Sequence, residues 1–342
     1  ANFNRILKYK GADDAHMILQ RGMPLYDMEK QETVGENKAG NMIIRGECVS
    51  ACAYLKEQGI SVDLIYIDPP FASGADYAKK VYIRRNPKVA EVIAQAEQEL
   101  DIEELKAFEE KMYGDVWDKE KYLNWMYENL MSIKSVMSET ASIYVHLDWH
   151  IGHYVKILLD EIFGEDRFIN EIIWHYADYM QGNATNALPK KHDVIYFFTK
   201  SDDYYYERVK VKLDAPVMRN KVVWNKETKA LEVARDEDGK IIYEEFSEKY
   251  LDTVWDIGQT AVTRKTSSEF LDYTTQKPKE LLRRIIEASS EKGMLVADFF
   301  GGSGVTAAVA NKLGRRFIHC DIGINSIQTT RDRLKADGAE FD

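Results

Sequence analysis

Asp68, Pro69, Pro70 and Phe71 come directly after the apolar run Leu64-Ile65-Tyr66-Ile67. A short apolar run rich in β-forming residues is what a buried parallel strand requires, so Asp68 stands at a strand's end. The two prolines fix φ and remove two backbone N–H donors, while their carbonyls stay available as acceptors. A carboxylate, a bare carbonyl and an aromatic face in sequence make a receptor for an amino group on a flat ring. Such an amino group is a poor nucleophile, because its lone pair is delocalised into the ring. Hydrogen bonds to Asp68 and to the Pro69 carbonyl would draw the nitrogen toward tetrahedral geometry and aim its lone pair at an electrophile, a task of positioning and electrostatics. If the ring is a nucleic-acid base, Phe71 can stack on it, and the base must leave its duplex to reach the pocket.

A second constellation lies far downstream. Ala297-Asp298-Phe299-Phe300-Gly301-Gly302-Ser303-Gly304 follows an apolar run and precedes a helical pattern. The glycines let the backbone turn tightly and approach a ligand, and the helix start offers free N–H groups to an anion. The next strand ends in Cys320-Asp321, whose carboxylate is placed to accept hydrogen bonds from ribose hydroxyls. The turn matches neither strict GxGxxG nor the GK[ST] of a phosphate loop, which disfavours a dinucleotide and ATP hydrolysis.

Other residues carry weaker signals. His146, His150 and His153 cluster at a strand end and helix start, where a structural role outweighs a metal site. Cys48 and Cys52 are one helical turn apart without a second ligand pair, and are expected in the core. Trp174, His175 and Tyr176 are read equally as pocket lining and as core packing. Lys190, Lys191 and His192 are read equally as phosphate contacts and as a solvated loop.

The elements that must position these residues alternate along the chain. A helix is expected near 13–21, a strand at 41–47, a helix at 48–58, the Asp68 strand at 63–71, a loop at 72–88 and an acidic helix at 89–112. Next come a helix from 119, a strand at 142–148, a helix at 150–164 ending on Gly164, and strands at 168–176 and 193–200. Residues 202–262 change character, with many charges and tyrosines and an Asp238-Gly239 turn, and read as an insertion with β content. A helix at 278–291, a strand at 294–300, a helix at 303–313, a strand at 315–322 and a helix at 325–336 close the chain. Strands alternating with helices predict an open, mainly parallel α/β sheet covered on both faces, with ligands at the carboxyl ends of the strands.

Composition sets the boundaries. The 342 residues are 45% hydrophobic and 11% aromatic, enough for a large core. Three cysteines point to a reducing compartment rather than a disulfide framework. No apolar run reaches membrane-spanning length, and the first residues lack a signal-peptide core. The net charge of −11 argues against tight autonomous binding to nucleic acid. Acidic residues gather at 91–120 and 227–249, basic ones at 79–88, 190–191, 283–284 and 315–316. The 91–120 stretch reads first as a solvated face, and second as a surface for a homodimer or a partner subunit.

Taken together, the motifs resemble those of the S-adenosylmethionine-dependent DNA amino methyltransferases of restriction–modification systems. Their order is that of the β class: Asp68-Pro69-Pro70-Phe71, then the variable segment, then Phe300-Gly301-Gly302-Ser303-Gly304. Thr275-Gln276-Lys277-Pro278 is similar to the family's QKP element, which implies contacts from Gln276, Lys277 and Pro278 to the methionine end of the cofactor. Gly46-Glu47 resembles the family's Gly-Asp, with Glu47 implied at the cofactor's adenine. SIYVHLDWH and LLDEIFGEDRFINEIIW resemble type III modification subunits in particular. The resemblance implies a circularly permuted, Rossmann-like methyltransferase sheet with helices on both faces and a small inserted target-recognition subdomain. It divides the chain into an N-terminal extension (1–40), a catalytic half (41–201, with a helical insertion at about 86–118), the target-recognition candidate (202–262) and a cofactor-binding half (263–342). It also implies S-adenosylmethionine as cofactor, no metal, a DNA substrate, a homodimer or restriction-subunit partner, and a bacterial cytoplasmic setting at the nucleoid. Asp68, rather than a serine at that position, points to adenine N6 over cytosine N4. The alternatives are a catalytically silent recognition subunit, a cytosine-N4 enzyme and an RNA adenine methyltransferase.

Overall fold

The computed structural model describes residues 28–70, 119–176, 178, 188–271, 273 and 276–342. Phe71, Thr275, the helix expected at 13–21, the loop at 72–88 and the acidic helix at 89–112 lie outside the described residues.

Eight strands form one sheet: β1 (Met42–Arg45), β2 (Val62–Ile67), β3 (Met137–Leu147), β4 (Phe168–His175), β5 (His192–Thr199), β10 (Val254–Asp256), β11 (Leu295–Asp298) and β12 (Arg316–Asp321). Their spatial order is β1-β12-β11-β2-β3-β5-β4-β10. All neighbouring pairs are parallel except those of β5, which runs against both β3 and β4. The near-continuous apolar runs of β2 and β12 follow from burial on both faces. The order places β11 beside β2, with Val296 opposite Leu64 and Ala297 opposite Ile65. The backbone N–H of Leu295 donates to Asp63 Oδ2 at 2.9 Å across 232 residues of sequence. A permuted sheet thus brings the proline turn and the glycine turn to one edge.

Side-chain alternation sorts the two faces. Ile65, Ile67, Ile143, Val145, Ala297 and Cys320 share one core with α1 (Cys48–Glu57), α2 (Lys119–Val136) and α3 (Gly152–Phe163). Cys48 and Cys52 are buried in it, as expected. The opposite face, with Tyr66, Tyr144, His146, Asp298 and His319, lies under α5 (Lys279–Ser289), α6 (Val305–Lys312) and α7 (Ile324–Ala336). α5 buries Leu281, Leu282, Ile285 and Ile286, at about 1.5–3 kcal/mol for each side chain. α4 (Thr260–Thr263) is a single turn after β10.

Glu207–Asp252 form a separate compact unit. It contains two antiparallel pairs, β6 (Lys210–Asn220) with β9 (Tyr243–Tyr250) and β7 (Val222–Asn225) with β8 (Ala230–Val233). The three-residue β10 joins the main sheet parallel to β4. It was not legible as a strand, since three residues show no period.

Candidate active site

Asp68 follows β2, and its carboxylate forms an ion pair with Lys277. Both side chains are largely buried, at 17% and 13% exposed. Lys277 is delivered by the start of α5, where Pro278 is the N-cap. The approach to that helix is fixed from both sides. Gln276 Nε2 donates to the Glu269 carbonyl at 2.6 Å, and the Lys279 N–H donates to Glu269 Oε2 at 3.1 Å. At its far end the helix meets β3, where Tyr144 Oη and Ser289 Oγ are 2.7 Å apart.

The glycine turn begins where β11 stops. Asp298 is buried; its Oδ1 accepts the Phe300 N–H at 3.0 Å and its Oδ2 accepts the Thr306 hydroxyl at 2.6 Å. Burial pushes its carboxyl up to about 7, against those two hydrogen bonds and with help from the charges of Asp68 and Asp321. Gly304 has a left-handed φ of +73° and starts α6, and a Cβ there would meet Thr330 Oγ1 at 2.4 Å. Asp321 closes the turn from β12: Oδ2 accepts the Gly302 N–H at 2.9 Å and Oδ1 the Gly323 N–H at 2.8 Å. Its carboxylate, read from the sequence as a ribose acceptor, therefore also ties the turn to the neighbouring strand. The Tyr273 ring stands 3.5 Å from where a Gly302 Cβ would be, and burial raises its phenol to about 12.

Glu47 is carried to the same place. Arg45 pairs with Asp321 between β1 and β12, and the Gly46 N–H donates to the Asp321 carbonyl at 3.0 Å. Glu47 is then the N-cap of α1 and accepts a hydrogen bond from Ser50 Oγ at 3.2 Å.

Two aromatic residues absent from the sequence reading complete this edge. Trp125 of α2 packs edge-on against Phe300 with 5.6 Å between ring centroids, and Tyr122 packs on Trp125 at 5.6 Å. Among the described residues, Tyr122 Oη, Trp125 Nε1, Gln276 Oε1 and Ser303 Oγ are buried without a hydrogen-bond partner. The segment from 119 was expected only as a helix, and neither the Tyr122 nor the Trp125 ring was singled out in it.

Below Asp68 lies a buried polar row. Tyr66 Oη is 2.7 Å from His146 Nδ1, His146 Nε2 is 3.2 Å from Asp193 Oδ2, and the Tyr176 hydroxyl donates to Asp193 Oδ1 at 3.3 Å. His146 is wholly buried in this row. Among the described residues no group of three or more His, Cys, Asp or Glu is arranged to hold a metal. Trp174 is core, with its indole N–H donating to the Ile257 carbonyl at 2.8 Å. His175 Nδ1 is 2.5 Å from Asp256 Oδ1, and His192 is exposed.

Among the described residues, the basic pairs at 283–284 and 315–316 are engaged within the fold. Arg283 pairs with Glu280 and Glu287, and Arg284 with Glu280. Arg315 donates to the Ser290 and Leu313 carbonyls, and Arg316 to that of Gly293. Lys190 Nζ lies 3.1 Å from the centroid of the half-exposed Trp149 ring. No described helix is long and apolar enough to cross a membrane.

The chain is similar in sequence to known DNA methyltransferases. The chain is 25% identical to the type II methyltransferase M.EcaI of Enterobacter cloacae, over 96% of this chain and 77% of that protein. It is 24% identical to the Mod subunit of the type III restriction-modification enzyme StyLTI of Salmonella typhimurium, over 86% of this chain; it spans about half, 54%, of that subunit. The solved PvuII DNA methyltransferase, cytosine-N4-specific, has the same fold, with a TM-score of 0.52 at 12% identity, covering 86% of this chain and 88% of that one. The sequence profile of the N6/N4 DNA methylases matches residues 62–332. That match takes in both the Asp68 turn and the glycine turn, and the chain belongs to the N6/N4 DNA methylase family.

Proposed function

We propose that this chain methylates the N6 amino group of adenine in DNA, with S-adenosylmethionine as methyl donor, in a restriction–modification or epigenetic system. The observation that carries the reading is the placement of Asp68 at the end of β2, on the strand next to the one that ends in the glycine turn.

The residues fit the cofactor. Ser303 Oγ and Gln276 Oε1 are buried polar atoms with no partner among the described residues. The turn from Gly301 to Gly304 is held in shape from within, its Gly301, Gly302 and Gly304 N–H groups donating to the Cys320 carbonyl, Asp321 Oδ2 and the Gly301 carbonyl. Gln276, Lys277 and Pro278 would hold the methionine end, Asp298 to Gly304 would line the floor, and Asp321 and Glu47 would face the nucleoside. Trp125 and Phe300 offer an apolar wall. When bound, S-adenosylmethionine supplies an electrophilic methyl group on a sulfonium.

The chain's own residues do the rest. Asp68 and the Pro69 carbonyl accept the two hydrogens of the amino group and turn its lone pair outward. Pro69 and Pro70 add no competing N–H. Phe71 stacks the base. Of these two acceptors only the Asp68 carboxylate is a base, so it would take the proton the nitrogen sheds on gaining a methyl. The Glu207–Asp252 unit, the core of the 202–262 insertion, is assigned to target recognition.

The aspartate of the motif, in place of serine, favours adenine over cytosine. Asp68→Ala should abolish methyl transfer to DNA while leaving S-adenosylmethionine binding within about two-fold of the parent. An Asp68→Ala protein with full activity would sink the assignment.

A further inference from the structure

Trp149 and Lys190 stand on the same edge of the sheet as Asp68. β2 and β3 run parallel, with Ile67 opposite Val145. The chain therefore leaves both strands at one edge, as Asp68 after β2 and as Asp148 and Trp149 after β3. β5 runs against β3, with Leu147 opposite Val194, so the run Lys190-Lys191-His192 enters β5 at that edge too.

The corner that carries Trp149 is fixed by its own hydrogen bonds. Asp148 Oδ1 accepts the His150 N–H at 2.9 Å and the Ile151 N–H at 3.1 Å, which closes the turn between β3 and α3. Gly152, the first residue of α3, lies tight against β5, where a Cβ would meet Val194 Cγ2 at 3.0 Å. Trp149 itself is left 44% exposed on this fixed corner. Lys190 Nζ sits 3.1 Å from the centroid of its ring, and the His150 ring meets it edge-on at 5.4 Å.

One exposed tryptophan is ordinary on a protein surface. Here the ring, an ammonium on it and a second lysine share an edge with the amino-group acceptor. The chain carries a net charge of −11, yet residues 190–192 hold two lysines, a histidine and no acid. A flat ring among ammonium groups matches a nucleic-acid strand, whose bases offer π faces and whose phosphates offer negative charge. The apolar patch of a protein partner would answer the ring and leave the lysines without a purpose.

We propose that Trp149 and Lys190 hold the DNA strand beside the target nucleotide: Trp149 stacks on a base, and Lys190 takes a phosphate of the same strand. This rests on the reading of the Asp68 edge as the place where a base of DNA is methylated. Neither residue meets the reacting atoms. Both are positioning residues, and they set the affinity for DNA.

The test uses the full chain, a fluorescent mixed-sequence duplex for equilibrium binding, and methyl-labelled S-adenosylmethionine for turnover. Trp149→Ala should raise the Kd and KM for DNA about ten-fold, the scale of a lost base–aromatic stack. Its kcat at saturating DNA and its Kd for the cofactor should stay within about two-fold of the parent. Trp149→Phe keeps a ring and should restore DNA affinity to within about three-fold. Lys190→Gln should weaken DNA binding and lower the slope of log Kd against log salt by about one, while Lys190→Arg keeps the slope. DNA affinity unchanged in Trp149→Ala overturns the inference, and so does a changed oligomeric state with unchanged DNA affinity, which would assign the ring to a protein partner. Equal losses in Trp149→Ala and Trp149→Phe, with cofactor binding lost alongside, would mark a merely structural ring and also overturn it. If Trp149→Ala does not fold, Trp149→His replaces it, and the unchanged salt slope of Lys190→Gln becomes the overturning result. These failures, in a parent that methylates DNA, leave the reading of the site intact. A parent that neither binds nor labels DNA overturns that reading, and the inference with it.

Discussion

The imidazole of His319 lies directly beneath Gly301: a Cβ on Gly301 would be 2.1 Å from His319 Nδ1. The ring is held from its other side, with Nε2 3.2 Å from Ser326 Oγ and 3.3 Å from Thr330 Oγ1. Burial pulls its pKa down to about 3, so it is a neutral ring. His319 therefore works as a support that sets the height of the glycine turn above β12.

A methyl group on Gly301 has to push that ring or lift the turn. Gly301→Ala should destabilise the fold by about 1–3 kcal/mol, the usual cost of overpacking, and weaken S-adenosylmethionine binding about ten-fold or more. Urea denaturation and titration calorimetry check the two effects. Unchanged affinity would show that the height of the turn is immaterial.

Asp298 gives a pH signature. Its carboxyl titrates at about 7 in the folded protein against an ordinary 3.8. Below the lower value both states are protonated and nothing is lost. As pH rises toward the upper value the folded state keeps a proton that the unfolded state has released, so stability falls, by on the order of 4 kcal/mol in full. The loss levels off above the folded pKa. Asp298→Asn can still accept from Phe300 N–H and should not show this fall. Urea midpoints of both proteins from about pH 4 to about pH 8 should diverge, the parent losing ground; parallel profiles would count against a neutral, buried Asp298.

All three cysteines are free and buried. Cys320 Sγ donates to the Gly46 carbonyl at 3.3 Å, and burial pushes its thiol well up. A thiol reagent at neutral pH should label none of them within minutes in the native protein and all of them in denaturant. Rapid native labelling of one equivalent would contradict the packing of α1 against β12.

Much of this was legible because the signals are local. Asp68 after an apolar run, glycines after another and Pro278 before a helix each report backbone geometry within a few residues. The mainly parallel sheet followed from alternating periods, and the Gly164 stop was found at the end of α3, where its φ is +102°. What the sequence hid are contacts between distant elements. Nothing near Lys277 announces that it pairs with Asp68, 209 residues away. His146 was singled out beside His150 and His153, yet its partners are Tyr66 and Asp193 on neighbouring strands. Trp125 lies in a segment expected only as a helix, and its contact with Phe300 joins elements far apart in sequence. The basic pairs at 283–284 and 315–316 were legible only as local charge, and their partners Glu280, Glu287, Ser290, Leu313 and Gly293 were not. β5 is apolar like β2, which lies in a parallel pair, so its reversed direction was invisible to composition.

The most direct test of the central claim is the identity of the methylated nucleoside. Purified protein, methyl-labelled S-adenosylmethionine and mixed-sequence duplex DNA are incubated, and the DNA is digested to nucleosides. The account predicts label in N6-methyladenine and none when Asp68 is alanine. Label in N4-methylcytosine, or no label in DNA at all, would contradict it.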